Sequence, residues 1–362
     1  MTDLKAFAQE IKKAQPVVSG EDYCFAAAGL DHGHIGGMTG ALIQAGAKLL
    51  YVYDRDRERA QTMADKYGAK AVSDMEQIYA DERVKMVASA AVPSERGPFG
   101  CEVMQHGRDY FVDKSPFTTL EQLREAEKTA AQTGKRYFVY YSERLHNESA
   151  IMAGYLIDAG MIGKVVNLIG TGPHRISLPT RPAWFFERKK YGGILTDIGS
   201  HQAEQFLAYT GSDDAKVVSS AIGNFKFPEY PELDDFGEML LASSTGASGY
   251  HRVDWYTPDG LRVWGDGRCL IEGTEGYIEL RKYTEITRGG RGNGLYLVNG
   301  DGEFFLDCTG TAGYPFFGDM ILDSLEGTQR AMTQAHIFKA AELALTAQNI
   351  AAERTGRDER YL

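Results

Sequence analysis

Cysteine is scarce in this chain, and the few cysteines stand far apart. Among 362 residues only Cys24, Cys101, Cys269 and Cys308 occur, and no two form a C-x-x-C pair. That spacing argues against a zinc ribbon and a disulfide framework and leaves reduced thiols, as in a cytoplasm, as the expectation. Long apolar runs are also missing: nothing approaches the roughly 20 residues of a membrane span. Near the start, Leu4, Phe7, Ala8 and Ile11 have helical spacing. Asp3, Lys5, Glu10, Lys12 and Lys13 interrupt any apolar core of a secretion signal. An amphipathic helix over residues 3–14, packed on the body of a cytoplasmic protein, is expected. Positive charge is in deficit, with 39 Lys and Arg against 50 Asp and Glu and a net charge of −11. A nucleic-acid surface needs clustered cations, so that class of partner is not expected, although a local basic pocket is not excluded. There is no internal repeat and no low-complexity tract.

What the chain does have is a glycine-rich turn between two apolar runs. Tyr23 to Ala28 is a short apolar run, and Gly29-Leu30-Asp31-His32-Gly33-His34-Ile35-Gly36 follows it. Ile35, Met38, Leu42 and Ile43 then fall on one helical face, and Gly46 closes that helix. A second run, Leu49 to Tyr53, ends in Asp54. Strand, glycine turn, helix, strand and acid is the order of a dinucleotide-binding unit. Glycines let the backbone approach a pyrophosphate, and a helix N-terminus offers it unpaired N–H groups. The acid can accept hydrogen bonds from the adenosine ribose. The spacing departs from G-x-G-x-x-G: either two residues are inserted between the first two glycines, or Asp31 replaces the second. A plain strand-to-helix turn in another parallel sheet has the same pattern.

Helix and strand signals then alternate. Helices are predicted over Arg57–Tyr67, Met75–Tyr79, Phe99–His106 and Leu120–Thr133. Strands are predicted over Ala69–Val72, Val84–Ala91, Tyr110–Val112 and Tyr137–Tyr141. Val92-Pro93-Ser94 reads as a turn. This rhythm implies a doubly wound parallel sheet in residues 1–141. After Ser142 a helix, Glu148–Ala159, is followed by strand signals: Val165–Ile169, Lys216–Ile222, Glu238–Leu241, Ser248–Val253, Arg268–Glu272 and Tyr277–Leu280. Asn299-Gly300-Asp301-Gly302 marks a turn. Phe317–Leu325 and Met332–Arg354 are helical. Residues 142–362 therefore read as an α+β domain on a mostly antiparallel sheet.

Two further constellations carry chemistry. Asp113-Lys114-Ser115-Pro116 ends a predicted parallel strand, the edge at which open α/β sheets bind ligands. A lysine there can stabilise a developing alkoxide; it can equally be a surface lysine before a helix. In Gly192-Gly193-Ile194-Leu195-Thr196-Asp197-Ile198-Gly199-Ser200-His201, the acid and histidine are four apart and share a helical face. A histidine there can exchange the proton of an alcohol; it can also be a satisfied core histidine. Asp31-His32-Gly33-His34 has metal-ligand chemistry but no matching distant ligand cluster, so no metal is expected. Asp213-Asp214 and Asp234-Asp235 read as solvated loop charges. Trp184-Phe185-Phe186 is a substrate wall or a loop anchored by aromatics.

Taken together, these segments resemble the Gfo/Idh/MocA family of oxidoreductases, which includes glucose–fructose oxidoreductase and inositol dehydrogenase. Asp113-Lys114-Ser115-Pro116 is similar to the family's E-K-P motif, with Asp for Glu and an extra Ser. Gly160-Met161-Ile162-Gly163-Lys164 is similar to G-x-I-G-K, and Gly193 to His201 to G-x-x-x-D-x-G-x-H. The resemblance implies an N-terminal Rossmann domain and a C-terminal domain on a large open sheet. It implies that Lys114, Asp197 and His201 are catalytic, with the proton acceptor open between Lys114 and His201. Gly29, His32, Gly33, His34, Ile35 and Asp54 would hold the adenosine diphosphate half of NAD; Val92, Pro93 and Asp113 would line the nicotinamide side. Arg144, His174, Arg175 and Trp184 would face the substrate, and the role of Glu204 is open. Asp54 favours NAD, while Arg55 and Arg57 leave NADP possible. The implied activity is hydride transfer to or from a secondary hydroxyl or ketone of a sugar, glycoside or polyol. An NAD-assisted glycosidase and a non-catalytic nucleotide sensor are the alternatives. The open sheet leads one to expect a homodimer or homotetramer.

Overall fold

A computed structural model describes residues 4–356. In chain order the elements are α1 (Leu4–Glu10), β1 (Gly20–Ala28), α2 (His34–Gln44), β2 (Ala47–Tyr53), α3 (Arg57–Tyr67), β3 (Lys70–Val72), α4 (Glu76–Tyr79), β4 (Val84–Ser89), α5 (Pro93–Gln105), β5 (Asp109–Asp113), α6 (Leu120–Thr133) and β6 (Tyr137–Tyr140). There follow α7 (Ser142–Leu145), α8 (Glu148–Asp158), β7 (Val165–Pro173), α9 (Arg188–Tyr191), α10 (Ile194–Asp197), α11 (Gly199–Thr210), β8 (Ala215–Gly223), β9 (Phe236–Ser243) and β10 (Ser248–Asp254). The last are β11 (Arg268–Gly273), β12 (Gly276–Arg281), β13 (Gly294–Asn299), β14 (Gly302–Asp307), α12 (Pro315–Glu326) and α13 (Gln334–Thr355). Asp3, in the helix expected over residues 3–14, and the last residues of the second predicted domain lie outside the described residues.

The chain forms two compact units. Among the described residues, one holds 14–140 and 314–338; the other holds the N-terminal helix, residues 141–313 and residues 339–356. In the first, six parallel strands run in the order β3-β2-β1-β4-β5-β6. The order reverses between β1 and β4, the switch point at which such sheets take ligands. Tyr23 to Ala28 of β1 are buried throughout, as a central strand covered on both faces must be. The second unit is built on eight strands ordered β14-β13-β12-β11-β7-β10-β9-β8. All its pairings are antiparallel except β7 with β10.

Several local expectations need correction. Ile43, expected on one face of α2 with Ile35, Met38 and Leu42, is 37% exposed, whereas those three are buried. The helix expected from Phe99 begins at Pro93, which takes the first helical position where a missing N–H costs nothing. Pro98 inside it cannot donate to the Ser94 carbonyl, and the Gln122 side chain does so instead at 2.9 Å. The expected turn at Asn299 to Gly302 is the bend of an antiparallel hairpin, β13–β14. Asp234 and Asp235, expected to be solvated, are fully buried. Asp234 takes Arg188 at 2.5 Å and Gln348 at 3.0 Å; Asp235 accepts the backbone N–H groups of Phe225 and Lys226 and the Tyr256 hydroxyl. Paired in this way, buried carboxylates are tolerated.

Candidate active site

In the first unit, β1 delivers the chain into the turn at Gly29. Its φ is +70°, and a Cβ there would lie 2.8 Å from the Cβ of Ala91, so only glycine fits. The turn then starts α2 at Gly33, which contributes no side-chain cap. By contrast α3 is closed by Asp56, whose carboxylate accepts from the N–H groups of Glu58 and Arg59. A Cβ added at Gly33 or Gly36 would meet nothing within 4 Å. A glycine-led helix start beside open space is what a diphosphate needs. Ile35, next in the turn, points into the core.

Asp54 ends β2 and is buried. It accepts from Leu30 N at 2.6 Å, Asp56 N at 2.8 Å and the Arg59 guanidinium at 2.7 Å. Arg59 also reaches Asp31 at 3.0 Å, and Arg55 pairs with Glu95 at 3.0 Å. These groups border a cavity of about 390 Å3 together with Gly29 and Tyr53. Val92 and Pro93 form the start of α5, just after the carboxyl end of β4.

At the carboxyl end of β5 the chain is gripped by Arg96, which is 1% exposed. Its guanidinium donates to the carbonyls of Ala91 (2.7 Å), Ser115 (3.1 Å) and Lys114, and to the Asp113 carboxylate at 3.2 Å. Lys114 is thereby fixed, and it is buried. The Asp113 carboxylate also meets two rings from the glycine turn: His34 Nδ1 at 2.9 Å and His32 Nδ1 at 3.2 Å. Burial alone would raise the Asp113 carboxyl, but the charges of His34 and Arg96 and the histidine hydrogen bonds hold it well below the usual range. Burial, then repulsion from His34, lowers His32 to about 4 against the opposing pull of Asp113. The distant partner that the sequence did not offer the two histidines is therefore Asp113.

In the second unit the glycine pair Gly192-Gly193 leads into α10. Gly193 has φ +94°, and a Cβ on it would collide with the Gln348 side chain at 2.2 Å. Gln348 instead accepts from Leu195 N at 2.9 Å, closing the helix start. Ile198 keeps right-handed helical angles between α10 and α11, so Asp197 and His201 stay at helical spacing; both are buried. His201 lies edge-on to Tyr141 with ring centres 6.3 Å apart. Its carbonyl accepts from Gln205, and Gln205 and Gln202 donate to Glu143 at 3.3 and 2.9 Å. Glu143 also pairs with fully buried Lys282 at 2.9 Å. Burial pushes Glu143 up, but Lys282 first and then His201 and His174 pull it down to about 2.

The expected substrate residues are more scattered in role. Arg144 is engaged by buried Glu204, which gives that acid a partner. Arg175 donates to the carbonyls of Pro258 and Val263 and so ties down the 258–263 loop. His174 packs on Trp264 at 4.4 Å. Trp184 is half-buried, while its neighbour Phe185 is the core anchor, stacked on Tyr191 and edge-on to Trp255. Arg181 escaped the sequence reading. Its guanidinium lies 4.4 Å over Phe185, burial lowers it from its ordinary value, and Asp197 opposes that shift. Arg96 escaped it too, since nothing local marks a helix arginine as a clamp for a strand end.

Comparison with known proteins follows the same division. Residues 27–141 match the family described as the oxidoreductase family with an NAD-binding Rossmann fold, and residues 152–279 match the GFO/IDH/MocA C-terminal domain. A crystal structure of a protein from Erwinia carotovora atroseptica SCRI1043, assigned as an oxidoreductase, is 45% identical, with a TM-score of 0.88 over 91% of this chain and 98% of that one. Levoglucosan dehydrogenase in complex with NADH and levoglucosan shares the fold at 17% identity, with a TM-score of 0.76 over 91% of this chain and 97% of its own. The scyllo-inositol 2-dehydrogenase (NAD(+)) of Bacillus subtilis strain 168 is 26% identical over 64% of this chain and 66% of its own length. The D-xylose dehydrogenase of Paenarthrobacter nicotinovorans is 23% identical over 58% of this chain and 54% of its own. The chain thus spans just under two thirds or less of the length of these curated relatives. With the turn, the strand-end lysine and both family domains in place, this chain belongs to the Gfo/Idh/MocA family of oxidoreductases.

Proposed function

We propose that this protein is an NAD-dependent oxidoreductase moving hydride between nicotinamide and a secondary hydroxyl or ketone of a sugar, glycoside or polyol. The observation that carries this function is Lys114: a buried lysine fixed at the carboxyl end of a parallel strand by a buried arginine that takes its carbonyl. The relatives named as inositol, xylose and levoglucosan dehydrogenases support the substrate class. NAD, when bound, supplies the hydride acceptor; Gly29, Gly33, His34 and Asp54 would hold its adenosine diphosphate half. Arg55 and Arg59 are each spent on carboxylates, and a 2′-phosphate beside Asp54 would be repelled, which favours NAD over NADP.

In this proposal Lys114, Asp197 and His201 are the catalytic group. The Lys114 ammonium positions the substrate hydroxyl and favours its alkoxide. His201 takes the proton, and Asp197 orients the substrate. A proton arriving on His201 meets the attraction of the Glu143 carboxylate rather than a bare apolar interior. Purified protein with NAD and a panel of sugars and inositols is expected to accumulate reduced nicotinamide, and Lys114→Ala to cut turnover by about 10²–10⁴-fold. No turnover with any member, together with unchanged ligand binding in Lys114→Ala, contradicts the proposal. Release of a free aglycone without net NADH points to a glycosidase.

We also propose a homo-oligomer assembled through the open face of the second sheet. Ile169, Tyr250 and Leu240 sit side by side across β7, β10 and β9, and all are at least 36% exposed. Val218 on β8 and Tyr277 on β12 are also exposed. An apolar sheet face of this kind is ordinarily covered. Sedimentation showing only a 40.0 kDa species rejects the assembly.

A further inference from the structure

We propose that His32, His34 and Asp113 form a binding site for one divalent first-row transition-metal ion of the zinc class. The proposal goes beyond the dehydrogenase function and does not need it. Its first support is spacing. His34 Nδ1 is 2.9 Å from Asp113 Oδ1 and His32 Nδ1 is 3.2 Å from Asp113 Oδ2. One donor atom from each residue lies within 4.8 Å of the others. Ligands bonded at about 2.0–2.1 Å in a tetrahedron stand about 3.3 Å apart. The two histidine-to-carboxylate separations are already close to that edge length.

The second support is the pairing itself: both imidazoles already turn Nδ1 toward the Asp113 carboxylate, so an ion would replace protons on donors that are in place rather than recruit new ones. The third support is the surrounding layer. Asp113 is buried and held by the Arg96 guanidinium at 3.2 Å, so the carboxylate is oriented before any ion arrives. The His32 and His34 side chains are 21% and 38% exposed, which leaves the remaining coordination positions on the outward side. The rings meet edge-on with centres 4.2 Å apart. Two imidazoles and one carboxylate select zinc, cobalt, nickel or copper over magnesium and calcium, which want oxygen donors.

The test uses the full chain, stripped of metal and free of NAD. Titration with Co2+ is followed by visible absorption, with Zn2+ and Mg2+ as competitors. About one Co2+ per chain is expected, displaced by Zn2+ and not by Mg2+, with His32→Gln and His34→Gln each weakening binding at least about tenfold. Both side chains are partly exposed, and circular dichroism verifies the fold of each variant. Absence of a cobalt spectrum, or equal binding in both variants and the parent, overturns the site. NAD binding by metal-free protein is measured separately by calorimetry. Its failure with Co2+ binding intact rejects the dehydrogenase function alone; failure of Co2+ binding with NAD binding intact rejects the metal site alone.

Discussion

Two glycine-led helix starts in this molecule look alike in sequence and differ in structure. At Gly33 and Gly36 a side chain would enter open space, and Gly33, the N-cap of α2, offers no side-chain cap. At Gly193 the same kind of turn is plugged: Gln348 fills the place a Cβ would take and satisfies Leu195 N. Glycine before a helix therefore has two physical meanings. It makes room for something the chain lacks, or it lets a distant part of the chain come close. What occupies the space decides which, and the sequence does not say.

The comparison can be broken most forcefully at Gly193. Gly193→Val places a β-branched residue at φ +94° against Gln348. A loss of about 3 kcal/mol or more is expected by denaturant titration. Dinucleotide affinity per folded molecule should not change. If stability is untouched, the plug is not tight. The open start predicts the reverse pattern. Gly33→Leu, at helical angles, should leave stability within about 1 kcal/mol. It should weaken NAD binding about tenfold, or roughly 1.4 kcal/mol. Calorimetry showing unchanged affinity removes the turn from the cofactor site.

A smaller effect sharpens the picture of the second unit as closed. His251 on β10 is packed between Gly170 and Gly249, with the Phe206 ring beside it, and neither ring nitrogen has a hydrogen-bond partner among the described residues. Burial, followed by the charge of Lys282, lowers it to about 3 from 6.5. The unfolded chain takes up this proton at higher pH than the folded one. Stability from this group is complete above about pH 6.5 and falls as pH drops toward 3. His251→Gln should flatten the decline of melting temperature between pH 6.5 and 4. A slope equal to the parent's would show that His251 is not held neutral.

Much of the fold was legible because periodicity is local. The alternation from Tyr23 to Tyr141 identified the doubly wound sheet, and Leu120–Thr133 matched α6 at both ends. Pro93 and Pro98 hid the start of α5, because a proline signals a break unless its position and the partner of its freed carbonyl are known. β13 and β14 were missed although Leu295 and Leu297 alternate with Tyr296 and Val298, since six-residue runs compete poorly with the turn between them. At the site, Lys114, Asp197 and His201 were found through motif and resemblance. The grip of Arg96, the plug of Gln348 and the meeting of His32 and His34 with Asp113 join residues 17 to 155 positions apart. No window of sequence contains such pairs. The burial of Asp234 and Asp235 was illegible for the same reason: their partners Arg188, Gln348 and Tyr256 are distant.

Hydride transfer from a carbinol carbon to nicotinamide is the central claim, and deuterium tests it most directly. A turned-over sugar or polyol is labelled at the oxidised carbon and incubated with the protein and NAD, and the reduced nicotinamide is isolated for mass spectrometry and NMR. The label is expected at C4 of the nicotinamide ring. Product formed with the deuterium lost to water, and none in the nicotinamide, would contradict it.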